Sequence, residues 1–249
     1  MVSAMWAGQW DVRRFDEIDS TNTYLRDQAR LGAPEGLVAV ADHQTAGRGR
    51  LDRRWEAPPG ASLLASVLFR PEMDRADLYL CTAAVALAAV EACRCVAGVE
   101  TVLKWPNDLL VGGAKLAGVL AEAEFDGPAC AVVVGIGINV GWPGPADVGG
   151  TCLNDLSGTS VDRQGLLEAL LTSLSPRRAL LDTAGGRRSL RAELRESCAT
   201  VGQHVRVELE GETIVGVASE IDDAGHLIVL TIDGPRTVTA GDVVHLRPA

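Results

Sequence analysis

The chain has 249 residues, of which 47% are hydrophobic, 22% charged and 4% aromatic, a globular composition that excludes disordered, collagen-like and coiled-coil chains. The formal net charge of −10, from 23 basic and 33 acidic residues, disfavours non-specific attraction to nucleic acid and to anionic lipid. The longest apolar run, 78–99, is interrupted by Glu91 and Arg94, so we expect it not to cross a membrane.

The N-terminal residues contain no basic segment followed by an apolar stretch, so no secretory signal is expected and the protein is predicted to be cytoplasmic. Six cysteines are scattered through apolar segments without a CxxC pair, and only four histidines are present. This pattern predicts buried free thiols rather than a disulfide framework or a zinc site.

Residues 1–199 are predicted to mix strands and helices without regular alternation, which favours an α+β fold. Ser20 is the expected N-cap and Gly32 the expected C-cap of the first helix. Longer helices are expected over 74–96 and within 163–198, the latter broken at Gly185 and Gly186. Strands are predicted at 10–15, 37–41, 62–69, 101–104, 115–125 and 129–140, with glycine-rich loops at 44–60 and 142–156.

From about residue 200 the chain changes to short segments that alternate apolar and polar residues, at 205–209, 227–232 and 237–239. Turn residues separate these segments, so a small β-barrel is predicted over 200–249. Its 3 basic and 8 acidic residues are atypical of a nucleic-acid-binding module. The sequence therefore predicts two domains, 1–199 and 200–249.

The first motif is the loop QTAGRGRLDRRW at 44–55. Glycines flank Arg48, so the backbone can approach a ligand closely, and Arg48, Arg50 and Arg53 offer guanidinium groups to phosphate or carboxylate oxygens. The loop matches neither a P-loop nor a dinucleotide-binding fingerprint. A solvated basic loop, or one that binds nucleic acid, is the alternative interpretation.

Two lysines form the second signal, because every other basic residue is arginine and Lys104 and Lys115 are eleven positions apart. A compact ammonium kept at both positions indicates sites where a planar guanidinium would not serve. The sequence KWPND at 104–108 predicts that Asn107 and Asp108 project from a turn and can hold a magnesium–nucleotide complex. An ordinary Asn–Asp turn and a solvated Lys115 are the alternatives.

The third motif, GIGIN at 135–139, is an apolar strand whose glycines let a flat group pack against the backbone. Asn139 at its end can donate a hydrogen bond to a base or phosphate. A glycine-containing core strand without a ligand is the alternative interpretation.

Together with DSTN at 19–22 and KLAG at 115–118, these motifs resemble in order and spacing those of the biotin–protein ligases. The resemblance covers nearly the whole chain, and lipoate ligases share the fold. It implies a catalytic domain like that of class II aminoacyl-tRNA synthetases, with a mixed sheet flanked by helices, followed by an SH3-like β-barrel. It also implies that biotin and ATP, with Mg²⁺, give biotinyl-5′-AMP and pyrophosphate. A lysine of a biotin carboxyl carrier domain of acetyl-CoA or acyl-CoA carboxylase then accepts the biotinyl group.

The resemblance also implies a role for each matching residue. The biotin-binding residues would be Ser20, Thr21, Asn22, Gln44, Gly47, Arg48, Gly49, Arg50 and Lys115. The nucleotide-binding residues would be Arg50, Arg53, Trp55, Lys104, Asn107 and Asn139. Lys115, Arg48 and Arg50 would act in catalysis, and Asp108 would bind the metal.

Two departures from the family pattern and two rival functions accompany this interpretation. Asp52 stands where the family's loop commonly has glycine, and no helix-turn-helix is expected before the first strand. We therefore expect a monofunctional ligase, a monomer or weak homodimer that binds neither nucleic acid nor membrane. A lipoate or octanoate ligase or transferase is disfavoured by the clustered polar groups, and a non-catalytic biotin-sensing regulator by the negative charge.

Overall fold

The computed structural model describes residues 9–126, 129–146, 149–209 and 211–246. These residues form an α+β structure with two β-sheets, one of seven strands and one of five. The expectation of no secretory signal depends partly on residues 1–8, which lie outside the described residues.

The larger sheet is mixed. Its strands are β1 (Asp11–Ile18), β2 (Leu37–Gln44), β3 (Ser62–Phe69), β4 (Val102–Lys104), β5 (Asp108–Val111), β6 (Ala114–Asp126) and β7 (Ala129–Asn139). Their order across the sheet is β1-β2-β3-β7-β6-β5-β4. β1 runs parallel to β2, and every other neighbouring pair is antiparallel.

Five α-helices are described: α1 (Thr21–Arg30), α2 (Tyr79–Ala97), α3 (Leu153–Ser157), α4 (Arg163–Leu180) and α5 (Ala184–Ser197). α2, α4 and α5 contribute to the main hydrophobic core on one face of the sheet, whereas α1 packs on the opposite face. Successive side chains of a strand point to opposite faces, so Ile136 and Ile138 join the main core while Gly135 and Gly137 lie on the α1 side.

By length and composition the helical stretch Arg75–Ala97 is apolar enough to span a membrane, so Glu91 and Arg94 do not interrupt it as the sequence analysis assumed. Its apolar window of 18 residues includes Glu91 and is still apolar on average. Within that window, 61% of the residues are buried inside the protein, as in the core helix of a soluble domain.

The second sheet is antiparallel and contains β8 (His204–Glu208), β9 (Thr213–Ile221), β10 (Leu227–Thr231), β11 (Gly234–Val238) and β12 (Asp242–His245). Its strand order is β11-β10-β9-β8-β12. Trp105, from the turn between β4 and β5, packs into the core of this second sheet. The KWPND segment therefore contacts both sheets.

The structure corrects three predicted elements. Asp108 begins β5 and pairs with Lys104 across a tight hairpin, because Pro106 lies in the connecting turn and leaves the ladder unbroken. The predicted loop 142–156 contains the short helix α3. The break between α4 and α5 precedes the two glycines, since Thr183 caps α5 by accepting from the Gly186 backbone N–H.

The prediction of buried thiols is correct for four of the six cysteines, which are all free. Cys130 is partly buried, and Cys95 is exposed near the C-terminal end of α2. Cys95 follows an apolar run in the sequence but faces away from the core. The prediction that it is buried, which relied on local hydrophobicity, is therefore wrong.

Candidate active site

A cavity of about 870 Å³ lies on the α1 side of the larger sheet. It is bordered by the start of α1, the loop 45–61, the β4–β5 turn, β6, β7 and β12 of the second sheet. Every residue assigned to a site from the sequence lines it except Gly47. A Cβ at Gly47 would lie 2.3 Å from the Trp55 carbonyl oxygen, so glycine there permits the two arms of the loop to meet.

One end of the cavity holds buried hydroxyl and amide groups at the start of α1. Ser20 caps the helix as predicted, accepting from the Thr23 backbone N–H at 3.4 Å. Thr21 donates from its backbone N–H and its hydroxyl to Gln44 Oε1, at 2.8 and 3.0 Å. These bonds fix the side chains of a small polar pocket within apolar surroundings.

Ser66 belongs to this cluster, although the sequence analysis did not identify it. Its buried hydroxyl lies 2.7 Å from Thr21 Oγ1 and 2.6 Å from Asn22 Oδ1. The available signal was a serine in the middle of the strand 62–69, which is apolar apart from Ser62 and Ser66, because a buried hydroxyl needs a hydrogen-bond partner.

Two flat groups pack against the glycines of β7, as the GIGIN motif predicts, and both come from the protein itself. A Cβ at Gly135 would lie 2.1 Å from Asn22 Oδ1, and one at Gly137 would lie 2.3 Å from the Trp55 ring. Trp55 also covers Gly118 of β6. Its indole Nε1 is buried against Gly137 and has no hydrogen-bond partner among the described residues.

The Gly-Arg loop (residues 47–55) forms a hairpin closed by backbone hydrogen bonds from Gly49 N to Arg53 O at 2.7 Å and from Trp55 N to Gly47 O at 3.1 Å. At its tip, Leu51 and Asp52 have φ of 54° and 57°, in the left-handed region that favours glycine. Each such residue costs roughly 1–2 kcal/mol, less for aspartate than for leucine. Asp52 therefore occupies a conformation for which glycine is better suited.

Of the four arginines of this loop, Arg48, Arg50 and Arg53 contact three different elements. Arg48 donates to Glu122 on β6 at 2.7 Å, and Arg50 donates to Asn107 Oδ1 at 3.2 Å and to the Gly241 carbonyl oxygen at 3.3 Å. Arg53 forms an ion pair with Asp242 of β12. Burial lowers the pKa of Arg50, a direction that favours pairing with an anion over leaving its charge unpaired.

Lys115 lies between a carboxylate and an aromatic ring. Its Nζ is 2.6 Å from Asp108 Oδ1 and 5.7 Å from the centroid of the Trp55 ring. Asn107 is fixed by donating to the Val119 carbonyl oxygen at 2.8 Å. An anionic ligand that reaches Lys115 therefore meets an ammonium that already pairs with Asp108 and has further N–H donors to offer.

Asn139 and Lys104 differ in how many of their polar groups are available to a ligand. The Asn139 amide donates to the carbonyl oxygens of Pro143 and Thr151, both at 3.1 Å, so its two N–H bonds tie together the 142–151 loop. This leaves only its oxygen for a ligand. Lys104 lines the cavity and has no carboxylate within 4.0 Å among the described residues, which leaves its ammonium available to an anion.

The described residues contain no cluster of three His, Cys, Asp or Glu side chains able to hold a metal ion by themselves. A nucleotide-bound Mg²⁺ needs only one or two protein carboxylates in addition to phosphate oxygens. Asp108, in the cavity beside Asn107, fits that requirement.

The comparisons with known proteins agree with one another. The chain matches the model of the biotin/lipoate A/B protein ligase family over residues 15–139 and that of the biotin protein ligase C-terminal domain over 200–246. It is 40% identical over 235 residues to the biotin–[acetyl-CoA-carboxylase] ligase of Mycobacterium tuberculosis, covering 92% of this chain and 86% of the relative. The corresponding ligase of Paracoccus denitrificans is 32% identical over 235 residues, covering 90% and 96%.

Among solved structures, the biotin protein ligase of Aquifex aeolicus in complex with biotin and ATP is similar, with a TM-score of 0.81 at 27% identity. The match covers 96% of this chain and 99% of that one, and therefore includes both sheets.

Proposed function

Since the chain belongs to the biotin/lipoate A/B protein ligase family, we infer that it is an ATP-dependent biotin–protein ligase. It activates biotin to biotinyl-5′-AMP with release of pyrophosphate, and then transfers the biotinyl group to a lysine of a carrier protein. The observation that carries this inference is a single cavity that joins a buried polar pocket to Lys115 and the arginines of the Gly-Arg loop.

The polar pocket suits the ureido ring of biotin. That ring offers one carbonyl acceptor and two N–H donors, and needs hydroxyl and amide partners within apolar walls. Ser20, Thr21 and Gln44 would supply these partners, and Asn22 would complete the pocket. A plain acyl chain needs no such cluster, which favours biotin over lipoate.

The cations suit the chemical step. A carboxylate that attacks a triphosphate brings two anions together, so positively charged donors must neutralise both. Lys115, Arg48 and Arg50 would hold the biotin carboxylate and the α-phosphate. Gly47 would let the two arms of the loop meet, Gly49 would let the loop backbone approach the ligand, and the closed loop would exclude water from the reactive anhydride.

On the nucleotide side, Arg53, Lys104 and Asn107 would contact the phosphates and ribose. The side-chain oxygen of Asn139 would be available as a further acceptor. The ring of Trp55 would face the base. Mg²⁺ bound with ATP would be held by Asp108 and would reduce the charge of the phosphates.

The remaining features follow from the same proposal. The larger sheet would be a catalytic domain like that of class II aminoacyl-tRNA synthetases, spanning 1–199, and the smaller an SH3-like domain spanning 200–249. Relatives named for acetyl-CoA carboxylase support a biotin carboxyl carrier domain of acetyl-CoA or acyl-CoA carboxylase as the partner. The net charge of −10 disfavours binding to nucleic acid and to anionic membranes. The proposal includes a cytoplasmic location and a monomer or weak homodimer.

Biotinyl transfer to a purified carrier domain in the presence of Mg-ATP tests this function. We expect the mass of one biotinyl group to be added to the carrier only when biotin and ATP are both present. Calorimetry with biotin and lipoate identifies the acid that binds. Transfer of lipoate in place of biotin would favour a lipoate ligase, and biotin binding without adenylate formation would favour a regulator.

A further inference from the structure

Glu122 lies on β6 beside the cavity, and its carboxylate contacts two parts of the proposed site. Oε2 accepts from Asn22 Nδ2 at 2.9 Å and from Arg48 Nη2 at 2.7 Å, while Oε1 accepts from Arg26 Nη1 at 2.9 Å. The side chain is only 20% exposed, so these bonds are screened less than those of surface ion pairs. One carboxylate therefore connects the start of α1 with the Gly-Arg loop.

The orientation of Asn22 depends on this carboxylate. Nδ2 donates to the Leu120 carbonyl oxygen at 3.2 Å as well as to Glu122, and Oδ1 lies 2.6 Å from Ser66 Oγ. Loss of the acceptor on Glu122 would leave one N–H of a buried amide unpaired, which costs more than the bond itself contributes.

The position of Arg48 depends on the same oxygen. Apart from Glu122, its guanidinium donates to Thr23 Oγ1 at the longer distance of 3.3 Å. Charge-assisted hydrogen bonds are the stronger kind, so the pairing with Glu122 is the main contact of Arg48 and holds this arm of the hairpin against β6.

We propose that Glu122 is a positioning residue that couples the biotin pocket to closure of the Gly-Arg loop. It orients Asn22 within the pocket and holds Arg48 beside it, so occupancy of the pocket and the position of the loop are linked through one side chain. The proposal rests on the ligase function proposed above. The competing interpretation is that Glu122 serves only to neutralise Arg26.

Glu124 offers a matched control, two residues further along β6 and on the same face of the sheet. It accepts from Arg26 Nε at 2.6 Å and from Arg30 Nη2 at 2.7 Å, and it is 25% exposed. Its hydrogen bonds go to these two arginines and not to Asn22 or Arg48. Glu124→Gln therefore removes a comparable charge from the same arginine without touching the proposed coupling.

The test compares Glu122→Gln with Glu124→Gln in the full chain. Calorimetry measures biotin affinity, and the rate of tryptic cleavage after the arginines at 48–54 measures loop opening with and without biotin. Glutamine keeps the size of the side chain but replaces an acceptor oxygen by an NH₂ group. We expect Glu122→Gln to bind biotin roughly 10-fold more weakly and to lose biotin-dependent protection of the loop. Glu124→Gln should match the wild type in both measurements.

Equal behaviour of the two variants, or wild-type affinity and protection in Glu122→Gln, would overturn the proposal. Should Glu122→Gln not fold, Glu122→Asp keeps the charge but withdraws the carboxylate by one methylene. Weaker biotin binding and reduced protection of the loop are then expected for Glu122→Asp, both smaller in size and at unchanged Tm. Wild-type affinity and protection in that variant would again overturn the proposal. Neither measurement requires catalysis. A wild-type protein that binds biotin but transfers none would contradict the ligase function and leave this comparison intact.

Discussion

The environment of Lys115 requires a small cation. Its ammonium lies 2.6 Å from Asp108 Oδ1 and 5.7 Å from the Trp55 ring, in a space bounded by Gly118. A guanidinium is planar and wider, and it directs its hydrogen bonds along fixed vectors. An arginine at position 115 would therefore keep the positive charge without reproducing the contacts of the lysine.

Lys115→Arg should slow adenylate formation by roughly 30- to 1000-fold, because a charge-assisted contact made in the transition state contributes on the order of 2–4 kcal/mol. Single-turnover formation of biotinyl-AMP measures this rate, and circular dichroism checks that the variant is folded. A folded variant that keeps more than about half of the wild-type rate would contradict the proposed role.

Gly135 and Gly137 allow the two halves of the site to be tested separately. A Cβ would lie 2.1 Å from Asn22 Oδ1 in Gly135→Ala and 2.3 Å from Trp55 Cε2 in Gly137→Ala. Overpacking costs roughly 1–3 kcal/mol, so we expect KM to rise about 5- to 150-fold. The rise should affect biotin in the first variant and ATP in the second. Each variant is the control for the other, and equal effects on both substrates would contradict the division of the cavity.

At the scale of elements, the Gly-Arg loop takes its position from contacts outside itself. Its arms are closed by backbone hydrogen bonds, but its tip carries two non-glycine residues with positive φ. Arg50 and Arg53 attach the tip region to the β4–β5 turn and to β12. The ordered path of the loop therefore depends on tertiary contacts more than on local preference.

Arg50→Gly should release the adenylate faster while still forming it, since Lys115 and the polar pocket remain intact. The substitution removes the bonds to Asn107 and Gly241 and adds backbone freedom. Loss of this charge-assisted clamp is expected to raise the dissociation rate of biotinyl-AMP by about 10-fold or more in a release assay after a single turnover.

Arg54→Gly is the matched control, because Arg54 is exposed and belongs to the same loop. We expect release from this variant close to that of the wild type. Abolished adenylate formation in Arg50→Gly would show that Lys115 and Arg48 cannot support the chemical step without Arg50, and unchanged release would remove its proposed role in retention.

At the scale of the molecule, the second sheet supports the proposed nucleotide side of the cavity. The Trp105 backbone N–H donates to Thr200 Oγ1 at 3.0 Å, and the indole N–H donates to the Gly225 carbonyl oxygen at 3.0 Å. Thr200 Oγ1 in turn lies 3.0 Å from His245 Nε2. The KWPND turn is therefore held from both sheets.

His245 makes this contact sensitive to pH. Burial, and then the charge of Lys104, lower the pKa of His245 below its usual value. In the unfolded chain histidine binds a proton near pH 6.5, so between that pH and the lower pKa of the folded state the unfolded chain binds more protons. The free energy of unfolding should therefore fall as pH decreases through 6.5, and this loss should end below the pKa of the folded state.

The measurement is Tm between pH 7.5 and 5.5 for the wild type, His245→Gln and His204→Gln. We expect His245→Gln to reduce the pH dependence of Tm, because glutamine can bond Thr200 without titrating. His204, which is exposed at the start of β8, should leave the dependence unchanged. An unaltered slope in His245→Gln would contradict the assignment.

Much of the fold was predictable because its signals are local. The strand at Ser62–Phe69 and the cap at Ser20 follow from hydrophobic periodicity and from backbone N–H groups that need an acceptor. β5 was missed because Pro106 was interpreted as the end of pairing. The turn that places Pro106 outside the ladder depends on hairpin register with Asp108.

The sequence by itself determined the donors and cations that line the cavity, because the motifs that carry them are contiguous in the chain. Only the tertiary structure decided how those groups are paired. Ser66 meets Asn22 across 44 positions of the chain, Glu122 meets Arg48 across 74, and Arg53 meets Asp242 across 189. Such partners are set by strand order and sheet register, which bring distant side chains to one face. No local pattern of apolar and polar residues encodes that proximity.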